Sequence, residues 1–93
     1  MMEEPLLRVL NTLRTAYPQG VPESDYYPLL VVLSDGMGEE NLGKVAGDFL
    51  NIDPHIIVHD AVAAVTTRRP SRNDVERVAG LMESAGWDPD NDW

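Results

Sequence analysis

Pro70-Ser71-Arg72-Asn73-Asp74-Val75-Glu76-Arg77-Val78-Ala79-Gly80-Leu81-Met82-Glu83-Ser84-Ala85-Gly86-Trp87 contains a complete helix with its start, its buried stripe and its stop. Ser71 is placed to accept a hydrogen bond from a free N–H of the first turn, and Asp74, three residues on, completes a loose capping box. Val75, Val78, Ala79 and Met82 fall on one side at helical spacing. Gly86 suits the left-handed conformation that ends a helix, and Trp87 then folds back as an apolar anchor. This stretch decides the fold class. No stretch of comparable clarity marks a catalytic or ligand site.

Working back from it, Arg69 precedes a proline and so avoids the helical region, which closes a short fourth helix over roughly residues 59–67 with Val58, Val62 and Val65 as its inner face. Asp53-Pro54 reads as a turn. Before it, Leu42, Val45, Ala46, Phe49 and Leu50 follow the i, i+3, i+4, i+7, i+8 pattern of a third helix, opened by Glu39 and Glu40 where negative charge suits the positive helix end. Lys44 and Asp48 form an exposed i, i+4 pair on it. The segment from Pro22 to Leu33 is ambiguous, since Leu29-Leu30-Val31-Val32-Leu33 fits a buried strand as well as a helix. A strand needs a partner, and Ile56-Ile57-Val58 is too short to supply one, so a helix with Pro28 near its start is the better reading. The first helix spans roughly residues 4–16, with Pro5 in its first turn and Leu6, Leu10, Leu13 and Tyr17, supported by Leu7 and Val9, on its apolar face. Pro18 and Gly20 stop it.

Ninety-three residues suffice for one domain with a modest core. The expected organisation is a helical domain over residues 1–87 and a frayed acidic tail over 88–93, with Trp87 docked and Trp93 in solvent. There is no cysteine, so disulfides, thiolate nucleophiles and thiolate zinc sites are all excluded, and a reducing cytoplasm fits. The longest aliphatic run, Leu29 to Leu33, is far too short to span a bilayer, and the first residues do not read as a signal peptide. The net charge of −9 is concentrated in residues 1–60, which hold ten acidic and three basic side chains. Such a balance repels nucleic acid and anionic membranes at long range.

Three local matches carry a family resemblance. They are Ala16-Tyr17-Pro18-Gln19-Gly20-Val21-Pro22 with Asp25-Tyr26 and Pro28-Leu29-Leu30, then Val45-Ala46 with Leu50, then Val65-Thr66 followed by Pro70-Ser71, Asp74-Val75 and Ala85-Gly86-Trp87. With them the chain resembles an actinobacterial, mainly mycobacterial, family, the domain of unknown function (DUF) family 3349. The resemblance implies an all-α, small single-domain bundle of five α-helices, in agreement with the periodicity. It implies no activity. The glycine-rich Ser34-Asp35-Gly36-Met37-Gly38 loop departs from the family pattern.

Candidate sites compete with plainer readings. Ser34-Asp35-Gly36-Met37-Gly38 looks like the metal loop of alkaline-phosphatase-like enzymes, yet the chain has no room for their scaffold, so a turn is favoured. Asp88, Asp90 and Asp92 alternate as in a calcium loop but lack its glycine and closing glutamate. His55 and His59 stand four apart without a placed third ligand. Serine, histidine and aspartate are present without a nucleophile elbow. The expectation is therefore no enzyme, no cofactor and no metal, with thermal stability unmoved by zinc or calcium. Tyr17, Tyr26 and Tyr27 form either an aromatic groove or, more simply, core lining with hydroxyls reaching water. Arg68, Arg69 and Arg72 gather near a helix N-terminus, where the macrodipole disfavours them and an anion is welcome, so with Ser71 they are the candidate anion or partner site. The plainer reading pairs them with some of the sixteen acidic residues. The reading reached is a monomeric protein-binding module with an unknown protein partner. Its alternative is a nucleic-acid-binding domain in which helices four and five imitate a helix-turn-helix, against which the net charge argues.

Overall fold

A computed structural model describes residues 2–90, in which five helices form an all-α bundle: α1 (Glu4–Ala16), α2 (Tyr26–Ser34), α3 (Glu39–Leu50), α4 (Pro54–Val65) and α5 (Arg72–Ser84). Trp93 and its expected exposure lie outside the described residues. No helix among those described is long and apolar enough to cross a membrane.

The helix α1 starts with Pro5 in its first turn, where the missing N–H costs nothing, and buries Leu6, Val9, Leu10 and Leu13. Leu7 is a correction: it points outward and is 43% exposed. Gly20, at φ +93°, closes the turn after α1 through a bond from its N–H to the Tyr17 carbonyl, a conformation that side chains disfavour. A single 3₁₀ turn, Glu23–Asp25, then feeds α2. Because Pro28, Leu29, Leu30, Val32 and Leu33 are all buried, α2 is apolar on most of its circumference. A helix enclosed by its neighbours needs no polar face, and that is why its sequence also resembled a buried strand.

The fourth helix departs most from the sequence expectation. It begins at Pro54, about a turn and a half before residue 59, with the Asp53 side chain accepting from the His55 N–H at 2.8 Å as an N-cap and Pro54 in the first turn. The Asp53-Pro54 pair is thus a helix start. The inner face also shifts: Ile57, Ala61 and Ala64 are buried, while Val62 and Val65 are 40% and 41% exposed. Two glycines of α3 explain how closely this helix approaches. A Cβ on Gly43 would stand 2.9 Å from Val58 Cγ2, and one on Gly47 would stand 2.9 Å from the Ile52 carbonyl oxygen.

The helix α5 follows its sequence signals. Ser71 Oγ accepts from the Asp74 N–H at 3.2 Å, Val78 and Met82 are buried, and Val75 and Ala79 pack partly buried beside them. Gly86 at φ +109° lets the Trp87 N–H reach the Met82 carbonyl at 2.9 Å. Trp87 is 4% exposed, and a Cβ on Gly36 would stand 2.6 Å from its ring. The loop that resembled a metal site is the bed of this indole.

Candidate functional site

The turn joining α4 to α5 is wound around one carbonyl. The N–H groups of Thr66, Thr67 and Arg68 all approach the Ala63 oxygen, at 3.3, 3.0 and 2.7 Å, and Thr66 Oγ1 donates to the Val62 carbonyl at 2.6 Å. Pro70 prevents the helix from continuing, and the Ser71 cap starts the next one. Arg68 and Arg69 are left exposed on this tight corner.

The four residues nominated from the sequence sit at this corner without converging on one pocket. Arg68 lines a groove of about 440 Å³ beside Tyr27, His59, Asp60 and Thr66. Arg69 and Arg72 line another, of about 510 Å³, over Val31, Pro70 and Val75. Tyr27 and Val31 are one turn apart on α2, so the same helix flanks both grooves. The Ser71 hydroxyl is engaged as the cap. Arg72 Nε donates to Glu76 Oε1 at 3.1 Å, as the plainer reading expected. Among the described residues neither Arg68 nor Arg69 forms an ion pair, in a chain with sixteen acidic and seven basic residues.

A third groove, about 410 Å³, is largely apolar. Val21, Leu50, Ile52 and Ile56 line it, with Tyr26 and the carboxylates of Glu23 and Asp60. Ile56 is 54% exposed.

Sequence reasoning missed a polar network that ties α1, α2 and α5 together. Arg77 donates to both oxygens of buried Asp25, at 2.8 and 3.2 Å, and Tyr17 donates to Asp25 Oδ2 at 2.9 Å. Tyr26 donates to Asp60 Oδ2 at 2.6 Å. The Tyr17 and Tyr26 hydroxyls therefore find aspartates, where water was the expected partner. The Arg77 guanidinium holds the Asp25 carboxyl below the usual carboxylate range, outweighing the desolvation that opposes it. Burial, followed by the bond to Asp25, pushes the Tyr17 hydroxyl well up, and burial followed by the bond to Asp60 does the same to Tyr26.

These shifts set two pH limits. A depressed carboxylate stabilises the fold above its unfolded value, about 3.9, and loses that contribution as pH falls through the lower folded value. A raised tyrosine stabilises it below about pH 10 and loses that contribution as pH rises above it. Denaturant midpoints are expected to fall on the acid side below about pH 4 and on the alkaline side above about pH 10. The deficit of Arg77→Gln against wild type should be full at pH 7 and shrink toward pH 2, and Tyr17→Phe should blunt the alkaline fall. A deficit independent of pH would show that the Asp25 pair does not set the acid limit.

The histidines do not converge. His55 Nδ1 lies 3.1 Å from Asp53 and His59 Nδ1 3.6 Å from Asp60, both rings solvent-exposed. Among the described residues no group of three His, Cys, Asp or Glu side chains is arranged to hold a metal ion. In the tail, the Asp90 N–H donates to Asp88 Oδ1, which makes a local turn.

No curated protein and no solved structure matches the chain. A family model described as a protein of unknown function, DUF3349, matches residues 4–91. An all-α bundle whose capped fifth helix, buried Trp87 and Pro70-Ser71 corner all fall within that match belongs to the DUF3349 family.

Proposed function

We propose that the protein is a non-enzymatic protein-binding module whose α4–α5 corner receives an acidic segment of a partner, with Arg68, Arg69 and Arg72 supplying charge and the turn held by Ser71. One observation carries this reading: Arg68 and Arg69 stay exposed and without an ion pair among the described residues while acids outnumber bases by more than two to one. Half-exposed Val62 lines the same groove as Arg68, so charge and hydrophobic area adjoin as they do at protein contacts. Duplex DNA is a poorer fit. The helix that would enter the groove, α5, carries Asp74, Glu76 and Glu83, and both of its arginines are engaged by acids.

Titrating a glutamate-rich peptide, with inorganic phosphate alongside, into labelled protein should shift amide signals at residues 66–76 and saturate. Arg68→Gln with Arg69→Gln should abolish the shifts and leave the fold intact. Weak, unsaturating shifts spread over the whole chain would overturn the proposal.

A further inference from the structure

The largely apolar groove is built from stretches far apart in sequence. Val21 precedes the 3₁₀ turn, Leu50 ends α3 with Ile52 just beyond it, and Ile56 lies in the first turn of α4. Val21, Leu50 and Ile52 are half-buried against the core, and Ile56 is 54% exposed. A single isoleucine in solvent is ordinary. One that continues a floor of partly covered aliphatic side chains is surface that a contact can remove from water.

The rim is acidic. Glu23 comes from the 3₁₀ turn and Asp60 from α4. Asp60 Oδ2 accepts from Tyr26, which also lines the groove, and Oδ1 lies 3.6 Å from His59 Nδ1. A hydroxyl donor holds the carboxylate in place without cancelling its charge. Glu23 is exposed and forms no ion pair among the described residues. None of the seven lysine and arginine side chains lines the groove. All of its walls come from residues 21–60, within the stretch that holds ten acidic and three basic side chains.

We propose that this groove is a second binding face, which takes a short segment of another protein carrying an aliphatic side chain next to lysine or arginine. The aliphatic group covers Ile52 and Ile56, and the neighbouring cation meets Glu23 or Asp60. Charge decides the class of occupant. An acidic segment would set like charges against the rim and a neutral one would leave the rim unanswered, whereas a cationic one matches charge and apolar area in one contact. The surrounding excess of acids adds attraction at longer range, screened beyond about 8 Å at physiological ionic strength. At about 410 Å³ the groove stands at the small end of ligand-sized cavities, roughly 300–1,000 Å³, so it suits the side chains of a short segment. This face is independent of the reading of the α4–α5 corner, which asks for the opposite charge.

The test is a titration of the labelled whole chain, followed by amide shifts, with a blocked tetrapeptide of two leucines between two lysines. Shifts should concentrate at residues 21–26, 50–52 and 56–60 and saturate. A peptide of the same charge with serines in place of the leucines should bind at least about tenfold more weakly, since it leaves the aliphatic floor in water. Ile56→Ser and Glu23→Lys should each weaken the leucine peptide by about tenfold or more, the first by removing apolar area and the second by facing the peptide with a like charge. Both side chains are exposed, and circular dichroism checks that the fold is kept. Shifts that do not saturate or that centre elsewhere, equal binding of the serine peptide, or unchanged binding by either variant overturns the proposal. Hexylamine saturating the same residues as tightly as the peptide would make this a site for small alkylammonium ions and overturn the protein segment as its occupant. Shifts at the same residues on concentrating the protein alone would put a second copy there and overturn it too.

Discussion

Trp87→Ala is expected to lower unfolding free energy by about 3–5 kcal/mol, the usual scale for truncating a buried large aromatic. The indole is 4% exposed, lies against Gly36, and follows a left-handed glycine whose turn is closed by the bond from the Trp87 N–H to the Met82 carbonyl. Gly36 has no side chain to fill the vacated volume, so the site cannot collapse cheaply. A domain of this size has about 5–15 kcal/mol in total, so the loss is a large share of it. Trp87→Phe, which keeps a ring on the glycine bed, should lose less than half as much and give a measurable denaturant midpoint. Equal, small losses for the two variants would show that the indole is not what anchors the end of α5 to the α2–α3 loop. Trp93→Ala, by its polar sequence context, should change the midpoint by almost nothing.

The fifth helix was legible because its instructions are local. Ser71, Asp74 and Gly86 each act on backbone within a few residues of themselves, so the sequence order contains the argument for the helix start and stop. The fourth helix was misread where its instructions come from elsewhere. Val58, Val62 and Val65 share helical spacing, but so do Ile57, Ala61 and Ala64, and the choice between stripes depends on how closely α2 and α3 pack on α4. Two alanines suit a close approach. The glycines at 43 and 47 record that closeness on α3, and nothing in α4 announces it. The Asp25–Arg77 pair spans 52 residues and leaves no periodic trace, so only the fold reveals it. At the candidate site the arginine cluster was visible from composition alone. Its division was not: Arg72 is taken by Glu76 one turn on, which a helix spacing allows, whereas Arg68 and Arg69 precede the helix and have no acid at that distance.

Paired glycine substitutions should separate these influences, with Gly80→Ala stabilising the protein and Gly47→Ala destabilising it. In a helix, alanine is favoured over glycine by up to about 1 kcal/mol because the unfolded chain loses less freedom. At Gly80 a Cβ meets nothing within 4 Å, so that gain should appear almost undiminished, as about 0.5–1 kcal/mol. At Gly47 a Cβ would meet the Ile52 carbonyl oxygen at 2.9 Å and Pro54 Cγ at 3.2 Å. A backbone oxygen cannot rotate away as a flexible side chain does, so the turn into α4 must move. Overpacking of that kind costs about 1–3 kcal/mol, which exceeds the propensity gain and leaves a net loss. The displacement should also be visible at a distance. Pro54 opens the helix that carries Ile56, Asp60 and Ala63, so amide shifts in Gly47→Ala should run along α4 toward Arg68, whereas those in Gly80→Ala should stay on α5. Similar gains in denaturant midpoint for both variants would mean that α3 and α4 are not in close contact.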